Sequence, residues 1–324
     1  MVKILLIALI LSFASARNFS VSGISSGGFQ AVQMHIAHSA DCIGAGIIAG
    51  GPYYCSQGSE VYATTACMTS PYLINLEACL QYAQEQSNSG TIDNLNNLKT
   101  NTKGVWIFSG LWDTVVNQYV VRSLLSFYQN FISSSIISTN FDTYAEHSWV
   151  TNSAGNPCNY LGSPFINYCN VNAAGLILNQ IYGNIKAPVK AISQNLKSFD
   201  QTQYMNPTIA IMATTGYMYI PTGCQGTNIN NCNVHMSIHG CGQNYETIGD
   251  LFITENELNG YAESNNIIMI YPQVAVNLEL NPEGCWDFWG YTGSDYALKN
   301  GIQIAALYNM TQNIPTPLNS AEAF

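Results

Sequence analysis

Short apolar runs alternate along the chain with stretches in which apolar residues recur every three or four positions. The runs predict buried strands at 19–22, 42–50, 104–110, 139–147, 234–238 and 267–271. The three-to-four spacing predicts helices at 29–39, 117–132, 173–182, 252–265 and 301–312. Residues 208–219 suggest a hairpin, whereas 184–205 show too little patterning to predict an element. Strands that alternate with helices are typical of a mostly parallel sheet covered on both faces, so the predicted fold class is α/β.

The first sixteen residues, MVKILLIALILSFASA, differ from everything that follows. One lysine precedes an apolar run, and the segment ends on a small-x-small pattern, which is the layout of a secretory signal peptide at 1–16. A membrane anchor is the alternative, but the run is shorter than a bilayer span. We therefore expect a secreted protein, or one delivered to the lumen of a digestive compartment, with no membrane contact after cleavage. Because no repeat or linker interrupts the rest, residues 17–324 are predicted to form a single domain.

All ten cysteines lie behind this leader, and an even number in a secreted chain favours disulfides. Short loops favour the local pairs Cys55–Cys67, Cys158–Cys169 and Cys224–Cys232. The cysteines that remain would then pair as Cys42–Cys79 and Cys241–Cys285. No CxxC motif or Cys/His quartet is present, so we expect no metal and no cofactor. Two glycosylation sequons begin at Asn18 and Asn309.

Charge is scarce in this chain of 324 residues. Charged residues make up 9% of it, against roughly 25% in an average soluble domain. Nine cations in a chain of net charge −10 argue against nucleic-acid binding, which needs clustered cations. A hydrophobic content of 47% argues against a disordered acidic chain. A neutral polar surface suggests an uncharged partner.

The motif with the clearest chemistry is a GxSxG sequence at 23–27, between a predicted strand and a predicted helix. That context is the one a nucleophile elbow requires, with Ser25 projecting from the top of the sheet. The backbone amide of Ser26 would then open the helix and face a developing oxyanion. The alternative is a Gly/Ser loop that only caps the helix.

A serine nucleophile needs a basic histidine and an acid. His147 follows a predicted strand, whereas the other four histidines occupy a helix, a strand interior or a separate motif: His35, His38, His235 and His239. Four aspartates fall before His147 in the chain order of an α/β-hydrolase: Asp41, Asp93, Asp113 and Asp142. Asp113 follows the most apolar strand, at the edge where catalytic loops gather, so the predicted triad is Ser25, Asp113 and His147. Glu146 adjoins His147 and is expected to point elsewhere.

A second motif, HGCG at 239–242, resembles the oxyanion loop of α/β-hydrolases. In ordinary members that loop precedes the nucleophile, but here it comes more than 200 residues after Ser25. A circularly permuted α/β-hydrolase fold explains the order, because chain termini usually lie close together at a surface. The fold then requires the helix at 301–312 to end near Phe19.

Five segments together resemble a known family: SVSGISSGGFQAVQ, FSGLWDTVVN, HGCGQ, YPQ and GCWDFWGY. They are similar, in the same order, to extracellular poly(3-hydroxybutyrate) depolymerases of the single-domain fungal type, which have a circularly permuted α/β-hydrolase fold. The resemblance implies the same triad and an oxyanion hole made by the amides of Ser26 and Cys241. It also matches the local cysteine pairs and implies a neutral polyester substrate in an apolar crevice, bound by a protein expected to be a monomer.

Five aromatic residues are candidates for the crevice wall, with core packing as the alternative for each: Trp286, Phe288, Trp289, Trp112 and Trp149. Feruloyl and acetylxylan esterases share the HGC and GCW segments, so a polysaccharide ester is the alternative substrate. A non-catalytic secreted binding protein with this fold is the alternative of another class.

Overall fold

The computed structural model describes residues 16–318, so the predicted signal peptide at 1–16 lies, but for its last residue, outside the described chain. The described strands are β1 (Phe19–Ile24), β2 (Cys42–Ile48), β3 (Gly104–Phe108), β4 (Ile137–Asn140), β5 (Trp149–Thr151), β6 (Asn156–Pro157), β7 (Ile166–Tyr168), β8 (Leu196–Asp200), β9 (Thr215–Tyr219), β10 (Asn233–Ile238) and β11 (Ile267–Tyr271). The described α-helices are α1 (Ser26–Ala37), α2 (Glu60–Thr64), α3 (Leu76–Ser89), α4 (Asn96–Thr100), α5 (Gln118–Tyr128), α6 (Ala173–Tyr182), α7 (Pro207–Ala210), α8 (Tyr245–Ile248), α9 (Leu251–Glu255), α10 (Leu258–Asn265) and α11 (Ile302–Gln312). None of these helices is long and apolar enough to cross a bilayer.

Eight of the strands form one sheet, in the spatial order β4-β3-β2-β1-β10-β11-β9-β8. The first six are parallel to their neighbours, and β9 and β8 are antiparallel. β1 is buried throughout and lies between β2 and β10. A mostly parallel sheet whose central strands are buried needs cover on both faces, as the sequence pattern predicted.

Two groups of helices supply that cover. On β2, Gly46 faces Ile177 of α6, while the next residue, Ile47, lies near Gly28 of α1. Because successive strand residues point to opposite faces, α1 and α6 cover opposite faces of the sheet. α1 also contacts α11, and α6 contacts α10, so each face is covered by helices that are distant in sequence.

The two ends of the described chain meet, as the permutation requires. The Gln312 side chain accepts a hydrogen bond from the amide of Arg17 at 2.7 Å and donates to the Arg17 carbonyl at 3.0 Å. The rings of Phe19 and Tyr308 are 6.1 Å apart. β10, which carries the HGCG loop, pairs directly with β1, which carries the GxSxG motif. The chain therefore has a circularly permuted α/β-hydrolase fold.

Three elements differ from the predicted ones. The proposed hairpin at 208–219 is the short helix α7 followed by β9, whose antiparallel partner β8 comes from the segment without a predicted element. β8 is an edge strand with one buried residue, so it lacks the apolar run that would reveal it. The helix predicted at 252–265 is broken between α9 and α10, where Glu257 has a left-handed backbone at φ 66°. The strand predicted at 139–147 ends at Asn140, and the chain then leaves the sheet.

Four of the five predicted disulfides form: Cys55–Cys67, Cys158–Cys169, Cys224–Cys232 and Cys241–Cys285. The fifth prediction, Cys42 with Cys79, is wrong, because both are buried free thiols. Cys42 begins β2 inside the sheet, whereas Cys79 lies on α3, which packs against α5. Burial raises the pKa of both thiols, which keeps them protonated and unreactive.

Candidate active site

Ser25 lies on the tight turn between β1 and α1, with its backbone at φ 56° and ψ −125°. A non-glycine residue rarely adopts a positive φ, and this strained turn lifts the side chain above the sheet. The two flanking glycines are required because the backbone is crowded. A Cβ on Gly23 would lie 2.1 Å from the Gly27 carbonyl oxygen, and one on Gly27 would lie 2.3 Å from the carbonyl oxygens of Ile238 and His239.

An acid–base pair stands beside this turn. Asp113, in the loop after β3, accepts a 2.9 Å hydrogen bond through Oδ2 from Nδ1 of His147, in the segment after β4. The other Asp113 oxygen accepts from the amides of Val115 and Val116 at 3.0 and 2.7 Å, which fixes the carboxylate. Because an ionised carboxylate only accepts hydrogen bonds, the imidazole carries its proton on Nδ1 and presents the lone pair of Nε2. That is the tautomer a general base needs.

The charges around His147 favour its protonated form. Burial alone lowers the pKa of His147, but the charge and hydrogen bond of Asp113, together with the charge of Glu146, outweigh it and hold the pKa above its ordinary value. The other four histidines are buried and form no hydrogen bond with a carboxylate of residues 16–318, although the charge of Asp93 acts on His38. Burial lowers the pKa of His35 and His235 to about 3, and those of His38 and His239 to about 4.

The HGCG loop lies against the Ser25 turn. A side chain on Gly240 would place its Cβ 3.2 Å from the Cβ of Ser25. Two amides of the loop already donate hydrogen bonds within the protein. The Gly240 amide donates to Oε1 of Gln243 at 2.7 Å, and the Gly242 amide donates to the Glu283 carbonyl at 2.8 Å. The amides of Ser26 and Cys241 donate to no group among residues 16–318. These two N–H groups flank Ser25 and are available to a ligand oxygen.

Ser25, His147 and the HGCG loop line one cleft of about 370 Å³. Most of its wall is apolar and comes from five different parts of the chain: Ile24, Phe29, Ala63, Met68, Val115, Val116, Phe165, Leu280, Phe288 and Trp289. The charged side chains on its wall, apart from the histidine, are the exposed Glu60 and Glu283. Such a cleft suits a neutral, largely apolar molecule with an ester or amide carbonyl to polarise.

No family model matches the chain. A poly(3-hydroxybutyrate) depolymerase of Delftia acidovorans is 39% identical to it over 298 residues, which are 91% of this chain and 59% of that protein. A polyhydroxybutyrate depolymerase of Talaromyces funiculosus is 34% identical over 311 residues, which cover 91% of this chain and 88% of that one. The chain belongs to the polyhydroxybutyrate depolymerase family.

Solved structures agree with this assignment. A PHB depolymerase from Penicillium funiculosum superposes with a TM-score of 0.81 at 30% identity, over 91% of this chain and 95% of that one. A PHB depolymerase with a serine-to-alanine substitution, complexed with an R3HB trimer, gives 0.81 at 31% identity, over 92% and 98%. The family resemblance of the sequence motifs is therefore confirmed.

The structure divides the aromatic residues proposed for the depolymerase cleft. Phe288 and Trp289 line it, and Trp289 is half-buried there. The predictions for Trp149 and Trp286 are wrong, because both are fully buried. The Trp149 indole donates to the Asn256 carbonyl at 3.1 Å, and Trp286 packs on His239 with ring centroids 5.5 Å apart. Trp112 is 50% exposed, packs against Tyr144 with the two rings tilted by 57°, and lies outside the cleft wall.

Three polar residues that hold the depolymerase site were not predicted from the sequence. The Gln243 amide joins the Gly240 amide to the carbonyls of Pro164 and Phe165, which ties the HGCG loop to the cleft wall. The buried Asp287 carboxylate accepts from four successive amides, 289–292, and so fixes the turn that carries Trp289. The Glu146 carboxylate accepts hydrogen bonds from Thr114 in the loop that carries Asp113. The signal for Gln243 is present in the HGCGQ segment, but the partners of Asp287 and Glu146 are set by folding.

Proposed function

We propose that this chain is a secreted serine esterase that hydrolyses the ester bonds of a poly(3-hydroxybutyrate)-type polyester through an acyl-enzyme. The observation that carries the proposal is the shared cleft. In it Ser25 on its strained turn and the carboxylate-oriented His147 meet one apolar wall, beside two amides that donate to no group among residues 16–318. The names of the relatives support the substrate class.

The chemistry follows from the geometry. Nε2 of His147 takes the Ser25 hydroxyl proton while Oγ attacks the ester carbonyl carbon. The amides of Ser26 and Cys241 stabilise the oxyanion, and Asp113 stabilises the imidazolium. When the tetrahedral intermediate collapses, the ester C–O bond breaks and His147 returns the proton to the leaving alcohol. Water then attacks the acyl-enzyme by the same route, which releases the acid and restores Ser25.

The cleft wall favours an aliphatic polyester. No Lys or Arg of residues 16–318 lines the cleft, so a charged substrate would find no cation to pair with. Exposed apolar side chains also occur on or next to segments that line the cleft. Leu280, at 52% exposure, lines it, and Leu278 at 86% and Val61 at 67% lie within two residues of the lining residues Leu280 and Glu60. Large exposed apolar groups are typical of a surface that contacts an apolar partner. Here they would contact the insoluble polymer directly.

The protein as purified from culture medium, without its leader, is expected to clear a turbid poly(3-hydroxybutyrate) suspension. Feruloylated and acetylated xylan serve as the rival substrates. Faster release of ferulate or acetate than of 3-hydroxybutyrate would reassign the enzyme to polysaccharide esters. A serine-directed phosphonate tests the class itself, since a folded protein in which Ser25 stays unlabelled is a binding protein rather than an esterase. Light scattering of the same sample checks that the enzyme is a monomer.

Trp289→Ala is expected to raise KM for a soluble neutral hydroxybutyrate oligomer by about tenfold, because an aromatic contact of about 1.5 kcal/mol is removed from the cleft wall. The control is Trp112→Ala, which removes an exposed indole outside the wall and should leave KM unchanged. Initial rates over a range of oligomer concentrations measure both. Equal increases in KM for the two variants would show that the cleft does not select the substrate.

A further inference from the structure

Glu146 is a buried carboxylate in a chain with very few charges. Its residue is 7% exposed, and it forms no ion pair with Lys or Arg within residues 16–318. A buried carboxylate is costly unless several donors satisfy it. Its position immediately before His147 therefore needs an explanation, and the identity of its donors provides one.

The three donors belong to the two halves of the acid–base pair. Oε1 accepts from the Thr114 amide at 2.7 Å and from the His147 amide at 2.8 Å, and Oε2 accepts from the Thr114 hydroxyl at 3.0 Å. Thr114 directly follows Asp113. The Glu146 side chain thus links the backbone of Thr114 to the backbone of His147. Thr114 and Glu146 are 32 residues apart in sequence.

The join lies where the two segments would otherwise separate. Before Asp113 they are held by a backbone bond from the Trp112 amide to the Ala145 carbonyl, at 3.1 Å. After Asp113 the loop turns away toward α5. There the Glu146 carboxylate holds the two segments together, because it accepts hydrogen bonds from the amides of Thr114 and His147. The 2.9 Å contact between Asp113 and His147 therefore has a backbone clamp on either side.

We propose that Glu146 is a positioning residue of the active site, which clamps the His147 backbone to the Asp113 loop and whose charge supports the imidazolium formed during ester hydrolysis. The role rests on the proposed function, since the imidazolium arises only if Ser25 and His147 react. The ionisable groups that act on His147 are Asp113 and Glu146, and the two other carboxylates of the cleft, Glu60 and Glu283, are exposed on its wall.

The charge and the clamp can be separated by one substitution. In Glu146→Gln, the amide oxygen can still accept from both backbone amides, and the new NH2 can donate to the Thr114 hydroxyl, which acts as donor or acceptor. The clamp is kept and the negative charge is lost. Because the Glu146 charge helps to raise the pKa of His147, its loss lowers that pKa. A general base must be neutral, so the acidic limb of the kcat/KM profile should move to lower pH while the plateau changes less than about threefold.

Glu146→Ala removes the clamp as well and leaves the Thr114 and His147 amides without their acceptor. We expect kcat to fall by about 100-fold with little change in KM, because the base is displaced rather than the substrate. Thr114→Val removes the hydroxyl contact alone and keeps both amide bonds, so kcat should fall much less than in Glu146→Ala.

An unchanged acidic limb in Glu146→Gln would overturn the electrostatic part of the inference, and a kcat within threefold in a folded Glu146→Ala would overturn the clamp. If Glu146→Ala does not fold, the profile of Glu146→Gln still decides. The titration of the His147 imidazole by NMR, in parent and Glu146→Gln protein, requires no substrate. Equal pKa values of His147 in the two proteins overturn the inference even if the enzyme is active. If the pKa is lower in Glu146→Gln, as expected, but the parent protein cleaves no ester, only the proposed function is overturned.

Discussion

Ser25→Ala is expected to reduce ester hydrolysis by about a millionfold and leave adsorption to the polymer intact. The substitution removes the attacking oxygen, and the remaining rate enhancement comes only from the two amides and from binding. Alanine fits the same turn, since Ser25 already holds φ at 56° and its change removes a single atom. Adsorption should persist because it depends on exposed side chains such as Leu278 rather than on the elbow.

Three measurements on one preparation test this prediction. Turbidity clearing measures polymer hydrolysis, a granule pull-down measures adsorption, and phosphonate labelling measures the reactivity of the serine. Ser26→Ala is the matched comparison, because it keeps the amide and loses only a hydroxyl that accepts from the Trp286 amide at 3.2 Å. It should cost far less activity than Ser25→Ala. Clearing that survives in Ser25→Ala would place the nucleophile elsewhere, and lost adsorption in that variant would show that the site and the binding surface are one.

Removal of the Cys241–Cys285 disulfide, by serine at both positions, is expected to lower the free energy of unfolding by about 4 kcal/mol and to reduce kcat. The bridge spans 44 residues, and chain entropy gives a large stabilisation for a loop of that length. It also joins the loop that offers the Cys241 amide to the segment that carries Phe288 and Trp289. Without it, the Cys241 amide, which we propose as an oxyanion donor, loses a covalent link to the cleft wall.

The Cys224–Cys232 disulfide provides the control, because it closes 8 residues and lies outside the cleft. Its removal should cost about 2.5 kcal/mol and leave kcat unchanged at a temperature where the protein is folded. Denaturant unfolding and initial rates on a soluble ester measure both variants. An equal fall in kcat for the two would mean that the Cys241–Cys285 bridge contributes stability and does not order the site.

The predictions that rested on residues close together in sequence were accurate. The GxSxG turn and the HGCG loop each follow a short apolar run, and a buried strand positions what comes directly after it. The three short-loop disulfides belong to the same class, because cysteines 8 to 12 residues apart meet at a small entropic cost. The meeting of Gln312 with Arg17 followed from motif order alone, since a permuted chain must bring its ends together.

Some of the predictions that depended on surroundings failed, although Phe288 and Trp289 line the cleft and Cys241 pairs with Cys285. Counting cysteines paired Cys42 with Cys79, but an even count carries no information on whether two thiols are near each other, and here each is enclosed separately. Proximity to Asp113 and His147 in sequence suggested Trp112 and Trp149 as cleft residues. The direction of a side chain out of a loop depends on what packs over it, and Trp149 is covered by Phe252.

The amino-acid sequence by itself determined the parallel strands of the permuted sheet and the strained turn of Ser25, because backbone geometry and apolar periodicity act over short distances. It did not reveal the edge strand β8. Only the tertiary structure decided which side chains form the cleft wall and which carboxylate, Glu146, joins the acid loop to His147. Those contacts link positions tens to hundreds of residues apart. Burial and hydrogen bonding at such distances are settled when the sheet, its helices and its loops pack together, and no local pattern records them.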